Sequence, residues 1–330
     1  MAEGKTLGIA FLGCGYAATI HAKRLKSFPG VRTYFASRDR AKAQAFAKKY
    51  GGAGAFGSYD EAIGDPRVDV ALVLTPPNSH LELTLAALAA GKHAVVEKPP
   101  FLHAADFDTV RAAREQAGRR VLIAENYFYK PLAEALRETI ASGALGEIRI
   151  VTVNALKEQR VQDWRGDTAL SGGGALFEGG IHWVDFFANL GMEVTGVQAF
   201  RPGGGDPAAP DRSMVVAFTY AGGAGGTLYY SWEMPVLLKG VHLSAVYGTE
   251  GVASFESNGI FLMVRGRRRS LRTKLADVAG YAGMWRDFVP ALVANREPRF
   301  DFEKARRDLV LTEAAYSSLR RDLSVPEPTP

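Results

Sequence analysis

Short apolar runs alternate with amphipathic stretches through the first 125 positions. LGIAFLG (7–13), VRTYFAS (31–37), VDVALVLT (68–75), HAVVEK (93–98) and RVLIAEN (120–126) have the length and composition of buried strands. Between them the spacing turns helical. Leu81, Leu85 and Leu88 share one face, Ser79 with Glu82 predicts a capping box, and Gly91 predicts the stop. Ser58 with Glu61 repeats the start signal before a short helix. Strand–helix alternation at this pace predicts an α/β domain over 1–126, a parallel doubly wound sheet of Rossmann type.

The pattern then changes. EIRIVTVNAL (147–156), VTGVQAF (194–200), RSMVVAFTY (212–220), GGTLYYSWEM (225–234) and GVHLSAVYG (240–248) follow one another with turn signals and little helix between them. Helical patterns fall near 130–142, 176–190 and 282–295, and RPGGGDPAAPD (201–211) is a loop. The expectation is an α+β domain over 127–330 with a large open, mainly antiparallel sheet. One face of such a sheet is a natural surface for a homodimer or homotetramer.

Composition narrows the classes. With 47% hydrophobic and 23% charged residues the chain is globular, and its apolar runs are too short to span a bilayer. MAEGKTLGIAFLG enters an apolar run with neither a basic n-region nor a small-residue cleavage site, and Cys14 is the single cysteine. A cytoplasmic location is expected, without a disulfide framework or a thiolate zinc cluster. The net charge of +5 is concentrated in RGRRRSLRTK (265–274), where six of ten residues are basic. Lacking interleaved aromatics or a reader motif, this segment reads as a solvated hairpin or loop face, with steering of an anionic ligand as the alternative and no nucleic-acid partner. The chain closes on a Pro-rich tail, VPEPTP.

GCGYAA (13–18) follows the first predicted strand and opens a helix, the context a dinucleotide fingerprint requires. Gly13 permits the tight turn, Gly15 lets backbone approach a pyrophosphate, Ala18 keeps helix and strand close, and the amides from Tyr16 and Ala17 onward face the phosphates. At the end of the second strand stand Ser37, Arg38 and Asp39. A hydroxyl and a guanidinium favour the 2′-phosphate of NADP; the alternative has Asp39 taking the ribose diol of NAD.

A second glycine-rich stretch, GGGALFEGGIHWVD (172–185), sets Glu178 four residues before His182. Glycine at this density weakens helix and strand alike, so the segment is expected to border a ligand that side chains would obstruct. Alcohol oxidation by hydride loss also needs a base with a pKa near neutrality, which His182 supplies, and an ammonium at the oxygen, which Lys98 supplies from the end of a parallel strand. The bland alternatives are a helix-surface ion pair, a metal site completed by Asp185, and an ordinary strand-end lysine.

TPPNSHLELTLAALAAGKHAVVEKP (75–99), with Glu97-Lys98-Pro99 at its core, AENYFYKP (124–131) and WRGDTALSGGGALFEGGIHWVD (164–185) together resemble the Gfo/Idh/MocA oxidoreductases. The resemblance runs in register from residue 7 to about 190, with one departure: Glu178 stands where the family usually has Asp. It implies hydride transfer between a nicotinamide and a carbinol carbon of a sugar, cyclitol or related polyol. Lys98 would bind the reacting hydroxyl and the cofactor ribose, His182 would act as general acid and base, and Glu178 would be its acidic partner. Thr75, Pro76, Asn78, His80 and Glu97 are further cofactor candidates, His80 being equally able to cap its helix. Asn126 and Tyr127 are candidates for the substrate or for the domain junction. Trp164 and Arg165 are substrate candidates, Arg165 suiting an anionic group, while His21, His93, His103 and His242 read as structural. Two rivals share the scaffold: a glycosidase with a tightly held, redox-recycled NAD(P), and a non-catalytic NADP-binding sensor.

Overall fold

A computed structural model describes residues 6–161, 163–203, 209–236, 241–273 and 276–319. The tail VPEPTP and parts of the loops around 201–211 and 232–240 lie outside the described residues, as does the end of the basic segment. Six strands form the first sheet: β1 (Leu7–Leu12), β2 (Val31–Ala36), β3 (Gly54–Phe56), β4 (Val70–Val73), β5 (His93–Val96) and β6 (Val121–Ile123). Their order is β3-β2-β1-β4-β5-β6 and every pairing is parallel, as the alternating pattern predicts. The crossovers carry α1 (Tyr16–Leu25), α2 (Arg40–Tyr50), α3 (Tyr59–Gly64), α4 (His80–Ala89) and α5 (Asp106–Ala117). Ser58 caps α3 by accepting from the Glu61 amide, 3.1 Å. The capping box expected at Ser79 does not form: its hydroxyl turns back to Thr75 Oγ1 (2.7 Å) and the Pro76 carbonyl (3.0 Å).

After α6 (Pro131–Ala141) comes the second sheet: β7 (Ile148–Leu156), β8 (Val194–Phe200), β9 (Ser213–Tyr220), β10 (Gly225–Ser231), β11 (Leu243–Gly248), β12 (Gly251–Glu256), β13 (Phe261–Arg265) and β14 (Arg269–Thr273). Its eight strands run β14-β13-β12-β11-β7-β10-β9-β8, antiparallel except where β10 lies parallel to β7. The basic segment is the hairpin of β13 and the edge strand β14, which is exposed along its whole length. Charged side chains on such an edge discourage further strand pairing.

Helices α7 (Thr168–Ser171), α8 (Ile181–Ala188), α9 (Tyr281–Val293) and α10 (Phe302–Ser318) complete the fold. The apolar pattern does not predict α10, because Asp308 and Thr312 interrupt the stripe it buries. The cores do not part at residue 126. Met284, Trp285 and Phe288 of α9, with Phe302 and Leu309 of α10, pack into the core of the first sheet, so the end of the chain returns to the first domain. No helix among the described residues is long and apolar enough to cross a membrane.

The glycines of 172–180 pack closely against protein, a reason for them that their density alone does not show. A Cβ on Gly174 would lie 2.2 Å from Asp211 Oδ1 and 2.3 Å from the Asp211 amide, and one on Gly173 would lie 2.6 Å from Phe177 Cβ. Gly179 is closed by the Tyr230 hydroxyl at 2.2 Å and Gly180 by Leu176 at 2.8 Å. The segment is pressed between α10 and β10, and a methyl group has nowhere to go. Gly174→Ala should therefore lose about 1–3 kcal/mol of unfolding free energy in chemical denaturation. Gly225→Ala, whose Cβ meets nothing within 4 Å, should stay within about 0.5 kcal/mol of wild type. Equal stability of the two variants would show that the contact yields.

Candidate active site

A cleft of about 720 Å³ opens at the carboxyl ends of β4 and β5 and against the end of β7. The edge of a parallel sheet is where such folds hold ligands, because strand ends and helix N-termini converge there. Of the predicted residues it gathers Tyr16, Ala17, Thr75, His80, Glu97, Lys98, Asn126, Tyr127, Trp164, Arg165, Glu178 and His182. Gly13, Gly15, Ser37, Arg38, Pro76 and Asn78 fall outside that lining. Gly13 does make the tight turn, with φ of 120°, and Gly15 caps α1. A Cβ on Gly15 would meet no protein atom within 4 Å, so a phosphate can reach this backbone. Beside it, the exposed Arg38 is open to solvent, whereas Asp39 accepts from the Lys42 amide (3.2 Å) as the N-cap of α2.

Lys98 stands two residues past the end of β5, and its ammonium donates to the backbone carbonyl of Glu178, 2.7 Å away. That carbonyl sits in a single π-helical turn, Leu176–Gly180, leading into α8. The residue before Lys98 is anchored separately. Glu97 accepts from His21 Nε2 (2.7 Å) and from the Lys98 amide (3.0 Å). Trp285 Nε1 donates to His21 Nδ1 at 3.0 Å, and an indole can only donate, so the proton of His21 resides on Nε2. Burial works against the Glu97 charge, yet the His21 hydrogen bond and the Lys98 charge hold its carboxyl below its ordinary pKa. Glu97 and His21 thus form a buried brace under Lys98.

His80 is likewise buried. Its Nε2 faces the Thr75 carbonyl (2.7 Å) and its Nδ1 the carbonyls of Pro99 (3.0 Å) and Pro100 (3.2 Å). Burial lowers its pKa, against the pull of those carbonyls. It fastens the end of β4 to the turn after Lys98.

The acidic partner of His182 differs from the expected one. His182 Nδ1 lies 2.6 Å from Glu125 Oε1, while Glu178 Oε1 accepts from Arg165 Nε at 3.0 Å. The π-helical turn rotates Glu178 away from the i,i+4 relation that an ordinary helix would give it. Glu125 is the residue that motif reading missed. It stands two residues past the sixth parallel strand as Lys98 does past the fifth, and that position was its available signal.

Burial dominates the electrostatics here. It raises the Glu125 carboxyl to about 8, the charges of Lys98 and Lys130 pulling down and that of Glu97 pushing up. It also takes His182 well below its ordinary value, helped by Lys98 and opposed by Glu97 and Glu178. Burial alone would raise Glu178, but Lys98 and Arg165 leave it lowered. Tyr127 stacks on the His182 ring at 4.1 Å between centroids and 11° between planes, and the buried Lys130 places its ammonium 4.1 Å from the Tyr127 ring. Burial brings Lys130 down to about 8. The Asn126 amide donates to the Ala279 carbonyl at 2.6 Å, a contact at the junction before α9. Lys157, Arg160, His242 and Tyr281 also line the cleft without a motif to announce them.

A sequence model described as oxidoreductase family, NAD-binding Rossmann fold, matches residues 7–125, and one for the GFO/IDH/MocA C-terminal domain matches residues 133–254. Trans-1,2-dihydrobenzene-1,2-diol dehydrogenase from Bos taurus is 31% identical over 224 residues, which is 66% of this chain and 64% of that enzyme. The match therefore spans less than two thirds of that relative's length. GenD2 from gentamicin A biosynthesis, solved in complex with NAD, superposes with a TM-score of 0.83 at 25% identity, over 97% of this chain and 95% of that one. The aldose-aldose oxidoreductase from Caulobacter crescentus, solved with glycerol, gives 0.84 at 24%, over 96% and 98%. With both halves matched in order and the cleft at their junction, the chain belongs to the Gfo/Idh/MocA oxidoreductase family.

Proposed function

We propose that this protein is an NAD(P)-dependent oxidoreductase acting on a carbinol or keto carbon of a sugar, cyclitol or related polyol. The observation that carries the reading is one cleft containing the Lys98 ammonium and a His182 imidazole whose far nitrogen is held by Glu125. In this reading residues 1–126 bind the cofactor and residues 127–330 bind substrate and oligomer partner. The open Gly15 backbone at the start of α1 fits a dinucleotide pyrophosphate. Bound nicotinamide supplies the hydride acceptor or donor.

The chain's own residues handle the proton. Lys98 stabilises negative charge developing on the substrate oxygen, as a fixed ammonium in a partly dry site does. His182 exchanges the hydroxyl proton at Nε2. Glu125 bears on which form is present, because its Oε1 lies within hydrogen-bond distance of Nδ1. Below about pH 8 Glu125 holds a proton, Nδ1 accepts it, and Nε2–H is the acid for reduction. Above it the carboxylate accepts from Nδ1–H and frees Nε2 as the base for oxidation.

Replacing Lys98 or His182 with Ala should cut turnover by about 10²-fold or more while cofactor affinity is largely kept. The rate of oxidation should rise with pH through about 8, and Glu125→Gln should remove that rise. Near-normal turnover in both alanine variants sinks the assignment. Substrate consumption without net nicotinamide reduction would move it to the redox-recycling glycosidase.

Arg38 and Ser37 support NADP over NAD, since Asp39 is engaged at its helix cap. Arg38→Ala should weaken NADP binding about tenfold and leave NAD binding unchanged, because only the 2′-phosphate offers a charged hydrogen bond. Equal loss for both cofactors would refute the preference.

The open face of the second sheet carries Ile150 paired with Tyr247 and Met263 paired with Leu271, all exposed, which supports a homodimer or homotetramer through this face. Sedimentation should give at least a dimer mass, and Ile150→Asp combined with Leu271→Asp should give a monomer. A monomeric wild type overturns the oligomer.

A further inference from the structure

The charges lining the cleft do not balance. Its cations are Lys98, Lys157, Arg160 and Arg165, and its carboxylates are Glu97 and Glu178. Both carboxylates are already engaged, Glu97 by His21 and the Lys98 amide and Glu178 by Arg165. Lys98 has the Glu178 carbonyl. Lys157 and Arg160 are left, and neither forms an ion pair with any described residue.

Lys157 follows the end of β7, where its backbone amide donates to the Ser231 carbonyl at 3.0 Å. Its ammonium lies 5.9 Å from the Tyr230 ring. It is partly buried, and burial lowers its pKa, with Lys98 and Arg165 pulling the same way and Glu178 opposing. A half-desolvated ammonium facing other cations is a standing cost that a bound anion removes. Arg160 stands in the same wall and is exposed.

We infer that the cleft takes an anionic sugar or polyol, a sugar acid or sugar phosphate, whose acidic group is received by Lys157 with Arg160. Arg165, the anion-binding candidate by sequence, has its Nε committed to Glu178. Lys157 and Arg160 project from the second-sheet side, while Lys98 comes from the first. The ligand is then oriented by its reacting hydroxyl at Lys98 and its acidic group at Lys157. This inference rests on the oxidoreductase reading only for the orientation of the ligand, and binding alone can test the rest.

Equilibrium binding of D-glucuronate, D-glucose 6-phosphate and D-glucose to the full chain saturated with NADP distinguishes carboxylate from phosphate and both from neutral sugar. At least one anion should bind about tenfold more tightly than D-glucose, the gain expected of one charged hydrogen bond. Lys157→Met should abolish that difference while Lys157→Arg keeps it, and the backbone bond to Ser231 survives either change. Equal binding of D-glucose and both anions overturns the inference. So does a preference that persists in Lys157→Met with Arg160→Met, or failure of both anions to bind at millimolar concentration. A preference for the anion in a protein that oxidises nothing sinks the oxidoreductase reading alone. Oxidation of D-glucose without any preference sinks the anion site alone.

Discussion

The hydrogen bond from Lys98 to the Glu178 carbonyl is the contact on which the site's geometry turns. It crosses from the end of a parallel strand to a turn of the second half of the chain. A backbone carbonyl inside a regular α-helix is taken by the amide four residues on, but a π-helical turn shifts that ladder. The glycines make the turn possible in a different way from the one their density suggests. They let the segment press against Asp211 and Tyr230, which fixes where the carbonyl stands. Packing behind the turn thereby sets the position of an ammonium in front of it.

Desolvation then organises the charges. Around His182 the chain places two lysines and three glutamates, an arrangement that water would screen and burial does not. The groups separate into braces and working groups. Glu97 keeps its charge because His21 and the Lys98 amide bond to it, and Trp285 fixes the tautomer that lets His21 do so. Glu125 has only the Tyr127 amide and a histidine, so burial prevails and its carboxyl holds a proton near neutrality. Two carboxylates at adjacent strand ends acquire opposite behaviour because the histidine beside Glu97 is fixed as a donor and the one beside Glu125 is not.

Sequence made the first sheet legible because parallel strands are buried on both faces and read as continuous apolar runs. It made Lys98 and His182 legible because motif and chemistry agree on them. The partner of His182 was hidden, since i,i+4 spacing assumes a regular helix and Leu176–Gly180 is not one. Helix α10 was hidden because its buried stripe contains Asp308 and Thr312: Thr312 returns its hydroxyl to the Asp308 carbonyl one turn back, and Asp308 is buried against Asn189 and Asp185 from a distant part of the chain. Lys157 and Arg160 had no motif at all. An ammonium becomes informative only when the structure shows which carboxylates are already spoken for.

The polar stripe of α10 explains why α8 can carry a catalytic candidate on such a weak local scaffold. Asp185 and Asp308 are buried beside each other, both pushed up by burial, Asp308 to about 7. Asn189 donates to Asp185 Oδ1 at 2.7 Å and accepts from Arg307 at 2.9 Å. A carboxyl that keeps its proton is a donor as well as an acceptor, so the two acids can join where two carboxylates would repel. The face of α8 away from the cleft is therefore tied to α10, while His182 on the cleft side is tied to Glu125. Held from both sides by protonated acids, an eight-residue helix does not need strong intrinsic propensity, and its first turn is free to accommodate the π-helical entry that presents the Glu178 carbonyl to Lys98.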